Sequence, residues 1–485
     1  MWDRLGERLG SRRAVYAVAL FGCALRLFHY LRNPSVWHDE AALVVNVLAN
    51  DFAALLGPLQ WNEAAPPLFL WLERAAVLLL GDNTYALRLI PLVVSCLSLL
   101  LFAVTVRRWL NPWGAFWAML LFAASDRMSW HAAEAKPYAV DVFVASAALF
   151  LAVQLRDCPL PWRILLFALL SPIAIFLSFP ACFVAGAMLL HLAPEVWRAG
   201  WRQRLLYVGW AVVVAGSFAL LYFGPIRAQR NEAIEGCWRG HFPDWSRPWS
   251  VPVWSFTGTC EVVRYAFMPI GNLLALFGLV GVVWLWRTGR RRDLLLLAGP
   301  LALAWAAALV HGYPYGGSRL EAFAVPGLAV LLATGADPAR RWLAARRRWA
   351  ALGVVVLLLT PLVESLRTVV HPWPRANAAA AANYILVRRS ATDRLAANHW
   401  EYVYYFRREI GDPAELALER QTGPGRLWMA FSTPDRAEQR RFRAALACRG
   451  RIVERKKFTF TSVYLVELSQ PAGATRAGPD AVAGR

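Results

Sequence analysis

The sequence is poor in charged residues. They make up 17% of its 485 residues, whereas 58% are hydrophobic, and the mean hydropathy is +0.39. An ordinary soluble domain carries about 25% charged residues, and a soluble fold cannot hide this much apolar surface. The composition argues against a soluble enzyme and against a disordered chain, and it predicts an α-helical polytopic membrane protein.

Lysine is almost absent as well. It accounts for three of the 52 basic residues, at Lys136, Lys456 and Lys457, so the net charge of +20 is carried by arginine. A strongly basic chain can bind nucleic acid. Here, however, the arginines lie in short runs between apolar segments, such as 107–108 and 290–292. That pattern is typical of loops kept on the cytoplasmic side of a bilayer. We therefore expect membrane lipids as partners and no nucleic acid.

Several familiar motifs are missing. The sequence has no CxxC pair, no histidine-rich metal pattern, no P-loop, no dinucleotide fingerprint and no nucleophile elbow in a suitable context. ATP-driven transport by this chain is therefore not supported. Of its seven cysteines, Cys237 and Cys260 share the segment 224–268. On an oxidising side of the membrane they are candidates for a disulfide, and two free thiols are the alternative.

Long apolar segments are abundant. A membrane-spanning helix needs about 20 mainly apolar residues, and the sequence offers about eleven such segments. They lie near 14–31, 84–106, 112–126, 138–155, 161–177, 179–194, 205–223, 269–286, 293–311, 320–336 and 349–369.

The arginine runs select one orientation. Segment 66–81 is apolar but short, and it carries Glu73 and Arg74, so we interpret it as an interfacial helix. With that choice every arginine-rich loop falls on one side. The N-terminus is then cytoplasmic and the C-terminus lies outside the cytoplasmic membrane, in the periplasm or extracellular space.

This orientation defines the predicted domains. Residues 1–371 form the transmembrane domain, with external loops 32–83, 127–137, 224–268 and 312–319. Residues 372–470 are more polar and predict a small external α/β domain, with strands at 394–398, 426–431 and 458–468 and helices at 401–410 and 434–447. Residues 471–485 are rich in Ala, Gly and Pro and predict a disordered tail.

Two adjacent acids follow the first span. Asp39 and Glu40 stand in the first external loop, where a carboxylate can accept a proton from an alcohol or hold a divalent cation. A solvated loop acid, or a cap on the apolar run after Asp39, is the alternative.

Other charged residues stand at predicted outer membrane edges. Glu134, Lys136 and Tyr138 lie at the mouth of one span, and Arg319 follows two glycines at the start of another. Lysine and arginine there can bind phosphate. Anchoring at the interface is the alternative for all four.

The order of five short motifs resembles the glycosyltransferase C superfamily. Within it, the chain looks most like the bacterial branch of the protein O-mannosyltransferases and the lipid A aminoarabinose transferase. The motifs are Trp37-His38-Asp39-Glu40, Ala65-Pro66-Pro67-Leu68-Phe69, the segment 84–91 with Arg88, Glu134-Ala135-Lys136-Pro137-Tyr138, and the segment 315–335. The resemblance covers about residues 14–336.

Two positions depart from the family pattern. Ala65 stands where the family often has His or Lys before the double proline. The polar contact that the family makes from this position is therefore either lost or made by Asn62, Glu63 or another loop. Lys136 stands where the family has Arg, which keeps the charge but loses the bidentate fork.

The resemblance implies a transferase. Such enzymes take a sugar from a polyprenyl-phosphate carrier on the outer face of the membrane, so this chain is expected to be a hexosyl- or pentosyltransferase with a protein, lipid or glycan acceptor. Asp39 becomes the candidate general base, with Glu40 orienting it or sharing a cation. Lys136 and Arg319 become candidates for stabilising the departing phosphate. His38, Glu134 and Tyr138 become candidates for binding substrate.

The sequence leaves open whether a metal ion is used and whether the protein belongs to another functional class. No cofactor is required, although Asp39 and Glu40 leave room for a divalent cation. A transporter or flippase for a lipid-linked sugar would also need spans and a phosphate site. Transporters, however, more often show internal repeats and ionisable groups near the membrane midplane. A non-catalytic scaffold with an external binding domain is a third class, and it would leave the one-sided acid and base residues unexplained.

Overall fold

The computed structural model describes residues 10–469, which divide into two units. Residues 10–33 and 46–372 form one, the helical unit, and residues 34–45 and 373–469 form the other, the mixed unit. The sequence assigned all of 32–83 to the membrane domain, whereas the structure groups 34–45 with the C-terminal residues. The predicted disordered tail, 471–485, lies outside the described residues.

The helical unit consists of helices and their connecting loops. Its longer helices are Arg12–Arg32, Pro67–Leu80, Thr84–Trp109, Pro112–Ala123, Tyr138–Gln154, Leu160–Leu177, Ala181–Arg198, Trp201–Leu221, Val251–Ala266, Gly271–Arg287, Arg291–Leu309, Val325–Arg346 and Arg348–Val370. Every predicted span falls on one of these helices, and Pro67–Leu80 is the predicted interfacial helix. The helical membrane fold is therefore confirmed.

By length and composition, fewer helices could cross a membrane than the eleven that the sequence predicted. Within residues 10–469, seven helices are long and apolar enough to cross a membrane, or eight if a pair bent by 110°, Pro248–Ala266 and Gly271–Arg287, is one span. Helices Pro112–Ala123 and Tyr138–Gln154 have 12 and 17 residues. At 1.5 Å per residue they reach about 18 and 26 Å, against about 30 Å of hydrocarbon. The count of eleven is not confirmed.

Helix ends in this unit follow local capping. The side chain of Asn83 accepts a hydrogen bond from the Ala86 amide (3.0 Å), and that of Asn111 accepts one from the Gly114 amide (2.7 Å). Asparagine is a favoured N-cap because its side chain satisfies an amide that the first turn leaves open. These two caps fix where the following helices begin.

One arginine is fully buried among the helices. The Nε of Arg26 donates to Ser95 Oγ (2.7 Å), and its Nη1 donates to the carbonyls of Gly22 (3.0 Å) and Ala123 (3.1 Å). Ala123 ends the short helix Pro112–Ala123, where carbonyls lack partners within the helix. Arg26 therefore stabilises a helix end, which accounts for a charge inside an apolar segment.

The mixed unit contains a four-stranded sheet. The strands are β1 Arg394–Ala397, β2 Gly425–Ser432, β3 Gly450–Phe458 and β4 Thr461–Leu468. Their order in the sheet is β1-β2-β4-β3, with β1 parallel to β2 and the other neighbours antiparallel. The helices with most residues in this unit are His38–Ala49, Ala378–Arg388, Glu401–Phe406 and Arg436–Ala447. Leu427, Met429, Tyr464 and Val466 form its core with Leu446. The predicted small α/β domain is confirmed.

One predicted strand was wrong in extent. The sequence predicted a single strand at 458–468, but the structure has a hairpin that turns at residues 459–460, where Phe460 has φ 52°. Strand β3 was missed because its residues are mostly charged, among them Arg455 and Lys456. Charged residues are common on edge strands, where they prevent further strand pairing.

Candidate active site

The acidic motif begins a helix in the mixed unit. Helix His38–Ala49 has Asp39 and Glu40 in its first turn, where the partial positive charge of a helix N-terminus stabilises carboxylates. Glu40 is fully buried, Asp39 is half-buried and His38 is exposed. Asp39 lies inside the helix, so it is not the N-cap residue that the alternative interpretation required.

Residues of the C-terminal segment fix the chain just before this helix. The Val36 amide donates to the hydroxyl of Tyr405 (2.8 Å). The guanidinium carbon of Arg375 lies 5.8 Å from the centroid of the Trp37 ring, within the range of a cation–π contact. The acidic motif therefore depends for its position on residues that follow it by more than 300 positions.

A buried acid and imidazole organise the second predicted loop in the helical unit. Nδ1 of His131 lies 2.6 Å from Glu134 Oε1, and its Nε2 lies 2.7 Å from the hydroxyl of Tyr265. Trp130 Nε1 donates to Glu134 Oε2 (2.7 Å). His131 and Glu134 are both buried. This network holds the turn that leads to Lys136.

Lys136 is almost completely buried and pairs with a carboxylate. Its Nζ donates to Oε2 of Glu63, which is itself buried. The pair therefore fixes the position of the ammonium group. Glu63 was one of two residues that the sequence offered in place of the polar group missing at Ala65. Asn62, the other, adopts a left-handed conformation with φ 52°.

Arg319 lies between aromatic rings. Its guanidinium carbon is 5.7 Å from the ring centroid of Tyr138 and 5.7 Å from that of Trp238. Aromatic rings beside a guanidinium restrict its orientation. The structure thus brings together two predicted site residues, Arg319 and Tyr138.

The loop before Arg319 is fixed by a buried carboxylate. Glu321 accepts hydrogen bonds from the amides of Gly316 (3.1 Å) and Ser318 (2.8 Å) and from Ser318 Oγ (3.1 Å). Gly317 has φ 80°, and a Cβ there would lie 2.5 Å from the Cβ of Glu261. Glycine is therefore required at this position.

Sequence reasoning found some of these residues and missed others. His131 and Glu134 are three positions apart, a helical spacing that signals side-chain contact. The pairing of Lys136 with Glu63, by contrast, has no local signal in the sequence. The position of Tyr265 beside His131 has none either. His38, Asp39 and Glu40 belong to the mixed unit, whereas Glu134, Lys136, Tyr138 and Arg319 belong to the helical unit.

The predicted disulfide is not formed. Cys237 and Cys260 are both free. Cys237 is on helix Glu232–Trp238 and Cys260 on helix Val251–Ala266. The expectation assumed a loop at 224–268, whereas much of that segment is helical and fixes each thiol on its own helix.

The described residues do not form a recognisable metal site. Within 10–469, no group of three or more His, Cys, Asp or Glu side chains is arranged to hold a metal ion. Asp39 and Glu40 are adjacent on one helix, where successive side chains point about 100° apart. The two residues therefore do not fit a chelating pair, and the divalent cation stays an expectation from the sequence.

The fold is similar to that of two solved crystal structures of one protein. Over 96% of this chain and 100% of the other, it matches the crystal structure of ArnT from Cupriavidus metallidurans bound to undecaprenyl phosphate, with a TM-score of 0.55 and 15% identity. The apo structure of the same protein matches over 93% of this chain and 98% of the other, with a TM-score of 0.53 and 16% identity.

These matches establish the fold. No protein-family model matches the sequence, and no curated protein matches it. The chain is thus a multi-pass membrane protein with an ArnT-like fold.

Proposed function

We propose that this protein is a membrane glycosyltransferase. It moves a sugar from a polyprenyl-phosphate carrier to an acceptor hydroxyl on the outer face of the cytoplasmic membrane. The observation that carries the proposal is the match over the whole chain to an ArnT that holds undecaprenyl phosphate. The buried Lys136 and the ring-flanked Arg319 support it, because both cations suit a phosphate.

The proposed reaction is a single displacement at the anomeric carbon. Asp39 takes the proton of the acceptor hydroxyl as that oxygen forms its bond to the anomeric carbon. The bond from the anomeric carbon to the phosphate oxygen breaks, and its electron pair stays on the polyprenyl phosphate. No step requires a metal ion.

The cations of the helical unit act on the leaving group. Lys136 and Arg319 stabilise the negative charge that develops on the phosphate. Glu63 holds Lys136 in place, and the Tyr138 ring limits the orientation of Arg319. Glu134 acts through His131 and Tyr265 to fix the loop, so it is a positioning residue.

Release of free polyprenyl phosphate tests the proposal. Protein in lipid nanodiscs is given undecaprenyl-phosphate monosaccharides, hexosyl and pentosyl, with a membrane extract as the acceptor source. We expect release with one donor and a fall of about 100-fold or more for Asp39→Asn, the range for loss of a general base. Asp244→Asn is the matched control, because Asp244 is an exposed loop acid that bonds Ser246.

Other outcomes separate the alternatives. Equal release by the parent and Asp39→Asn would move the base elsewhere. Absence of release from every donor, together with movement of donor between leaflets, would replace the transferase by a flippase.

A further inference from the structure

The carboxyl ends of strands β1 and β2 carry a cluster that the reaction above leaves unused. These strands are parallel, and Asn398 follows β1 directly. Its Nδ2 donates to the Ser432 carbonyl (2.8 Å) and its Oδ1 accepts from the Ser432 amide (2.8 Å). Ser432 is the last residue of β2. The backbone just before His399 is therefore fixed at the edge where parallel strands present functional loops.

His399 faces the acidic motif within the mixed unit. Its ring centroid lies 5.9 Å from that of His38, and both imidazoles are exposed. His38 immediately precedes Asp39, and its ring meets the Trp37 ring edge-on at 4.9 Å. Two exposed imidazoles and a half-buried indole thus lie beside the first turn of the helix that carries Asp39.

A buried carboxylate lies beside His399. Glu401 is 3% exposed, and it accepts a hydrogen bond from Ser432, while its Oε2 has no hydrogen-bond partner among residues 10–469. Burial raises the pKa of the Glu401 carboxyl above its ordinary value, and the electrostatic interaction with His399 opposes this shift. Glu401 therefore lies within electrostatic reach of the His399 imidazole.

We propose that His399 is an acceptor-positioning residue and that it binds an acceptor sugar beside Asp39. This inference rests on the proposed transferase function. A neutral imidazole both donates and accepts a hydrogen bond, as hydroxyl groups do. His38 and His399 therefore suit neighbouring hydroxyls, and the Trp37 ring suits the apolar face of a sugar ring. The C-terminal unit thus selects the acceptor.

The test measures acceptor dependence. The rate of undecaprenyl phosphate release is followed against membrane-extract concentration in nanodiscs, with the donor that the parent uses. For His399→Ala we expect the half-saturating extract concentration to rise about three- to tenfold, as for loss of one hydrogen bond. The maximal rate should change less than about twofold, because His399 contributes to binding of the acceptor and not to the chemical step. We expect His399→Gln to stay close to the parent.

Controls separate this role from a structural one. Binding of undecaprenyl phosphate, measured by its stabilisation of thermal unfolding, should be the same in the parent and His399→Ala. Arg451→Ala breaks an exposed ion pair with Glu467 in the same unit and should leave half-saturation unchanged. Extract digested with protease should keep its acceptor activity.

Three results would overturn the inference while leaving the transferase intact. They are unchanged half-saturation in His399→Ala, a fall in maximal rate alone, and loss of acceptor activity after protease. Absence of release by the parent would overturn the transferase proposal and this inference with it.

Discussion

Lys136 and Glu63 are a buried cation and carboxylate whose contributions to folding and to the reaction are separable. Both side chains are buried, and they contact each other directly. Removing one member of such a pair leaves an uncompensated charge, while removing both can be nearly neutral for stability. A lysine retained only for stability would therefore be dispensable together with its partner.

We expect Lys136→Met to destabilise the protein by about 3–5 kcal/mol. The double variant Lys136→Met with Glu63→Gln should recover most of that loss, because neither charge is then buried. Release of polyprenyl phosphate should stay impaired in both variants, since the phosphate has lost one of its two cations. Thermal unfolding in nanodiscs and the release assay give the two readouts.

An exposed ion pair provides the matched control. Arg230 contacts Glu235 at 2.5 Å, and both side chains are about half exposed. Arg230→Met should change stability by about 0–1 kcal/mol and leave release unchanged. Full release by the stable double variant would remove Lys136 from the reaction.

Sequence reasoning finds single site residues only where a local pattern marks them. Asp39, Glu134 and Arg319 were accessible because they lie in short motifs or at the ends of apolar segments. His399 was not, because it meets His38 across 361 positions and lies in a polar stretch without a motif. Contacts of that kind follow from the fold of the whole unit, which local patterns do not encode.

Secondary-structure elements were easier to predict than their bends. Each predicted apolar segment is a helix, because hydropathy, caps such as Asn111 and prolines act over a few residues. The bend between Pro248–Ala266 and Gly271–Arg287 was not predicted. Hydropathy records how apolar a segment is, while a bend depends on what packs against it.

Two of the membrane helices pack closely against each other. Helices Gly271–Arg287 and Val325–Arg346 meet at two glycines: a Cβ on Gly335 would lie 1.8 Å from the Phe277 carbonyl oxygen, and one on Gly281 would lie 2.3 Å from that of Leu331. Small residues allow helices to approach closely in membranes, where the hydrophobic effect does not drive association.

We expect Gly335→Leu to separate these helices and abolish the folded protein. The backbone oxygen opposite Gly335 cannot move away as a flexible side chain would. Gly353→Leu is the matched control, because a Cβ at Gly353 meets nothing within 4 Å. Size-exclusion profiles and thermal unfolding of both variants provide the measurement. A monodisperse Gly335→Leu with unchanged unfolding would show that the two helices pack differently.

At the scale of the whole molecule, the orientation in the membrane is still a prediction. It rests on the side of the arginine runs and on the parity of the crossings. An odd number of crossings between two points puts them on opposite faces, and an even number puts them on the same face. The bent pair Pro248–Ala266 and Gly271–Arg287 therefore decides the side of everything after it. If the pair crosses once, residues 373–469 lie outside, on the same face as residues 34–45 of the mixed unit. If it enters and returns on one face, residues 373–469 would lie in the cytoplasm, across the membrane from residues 34–45.

Three natural cysteines test this parity directly. Cys158, Cys237 and Cys448 are all exposed, and they lie respectively in a predicted cytoplasmic loop, before the bent pair, and in the mixed unit. In variants that keep one of them and replace the other six cysteines, we expect a membrane-impermeant maleimide added to intact spheroplasts to label Cys237 and Cys448. Cys158 should be labelled after permeabilisation alone. Labelling of Cys237 without Cys448 would show that the bent pair is re-entrant. It would put His399 across the membrane from Asp39, which would contradict the mixed unit that contains both residues. Labelling of Cys158 from outside would reverse the orientation inferred from the arginines.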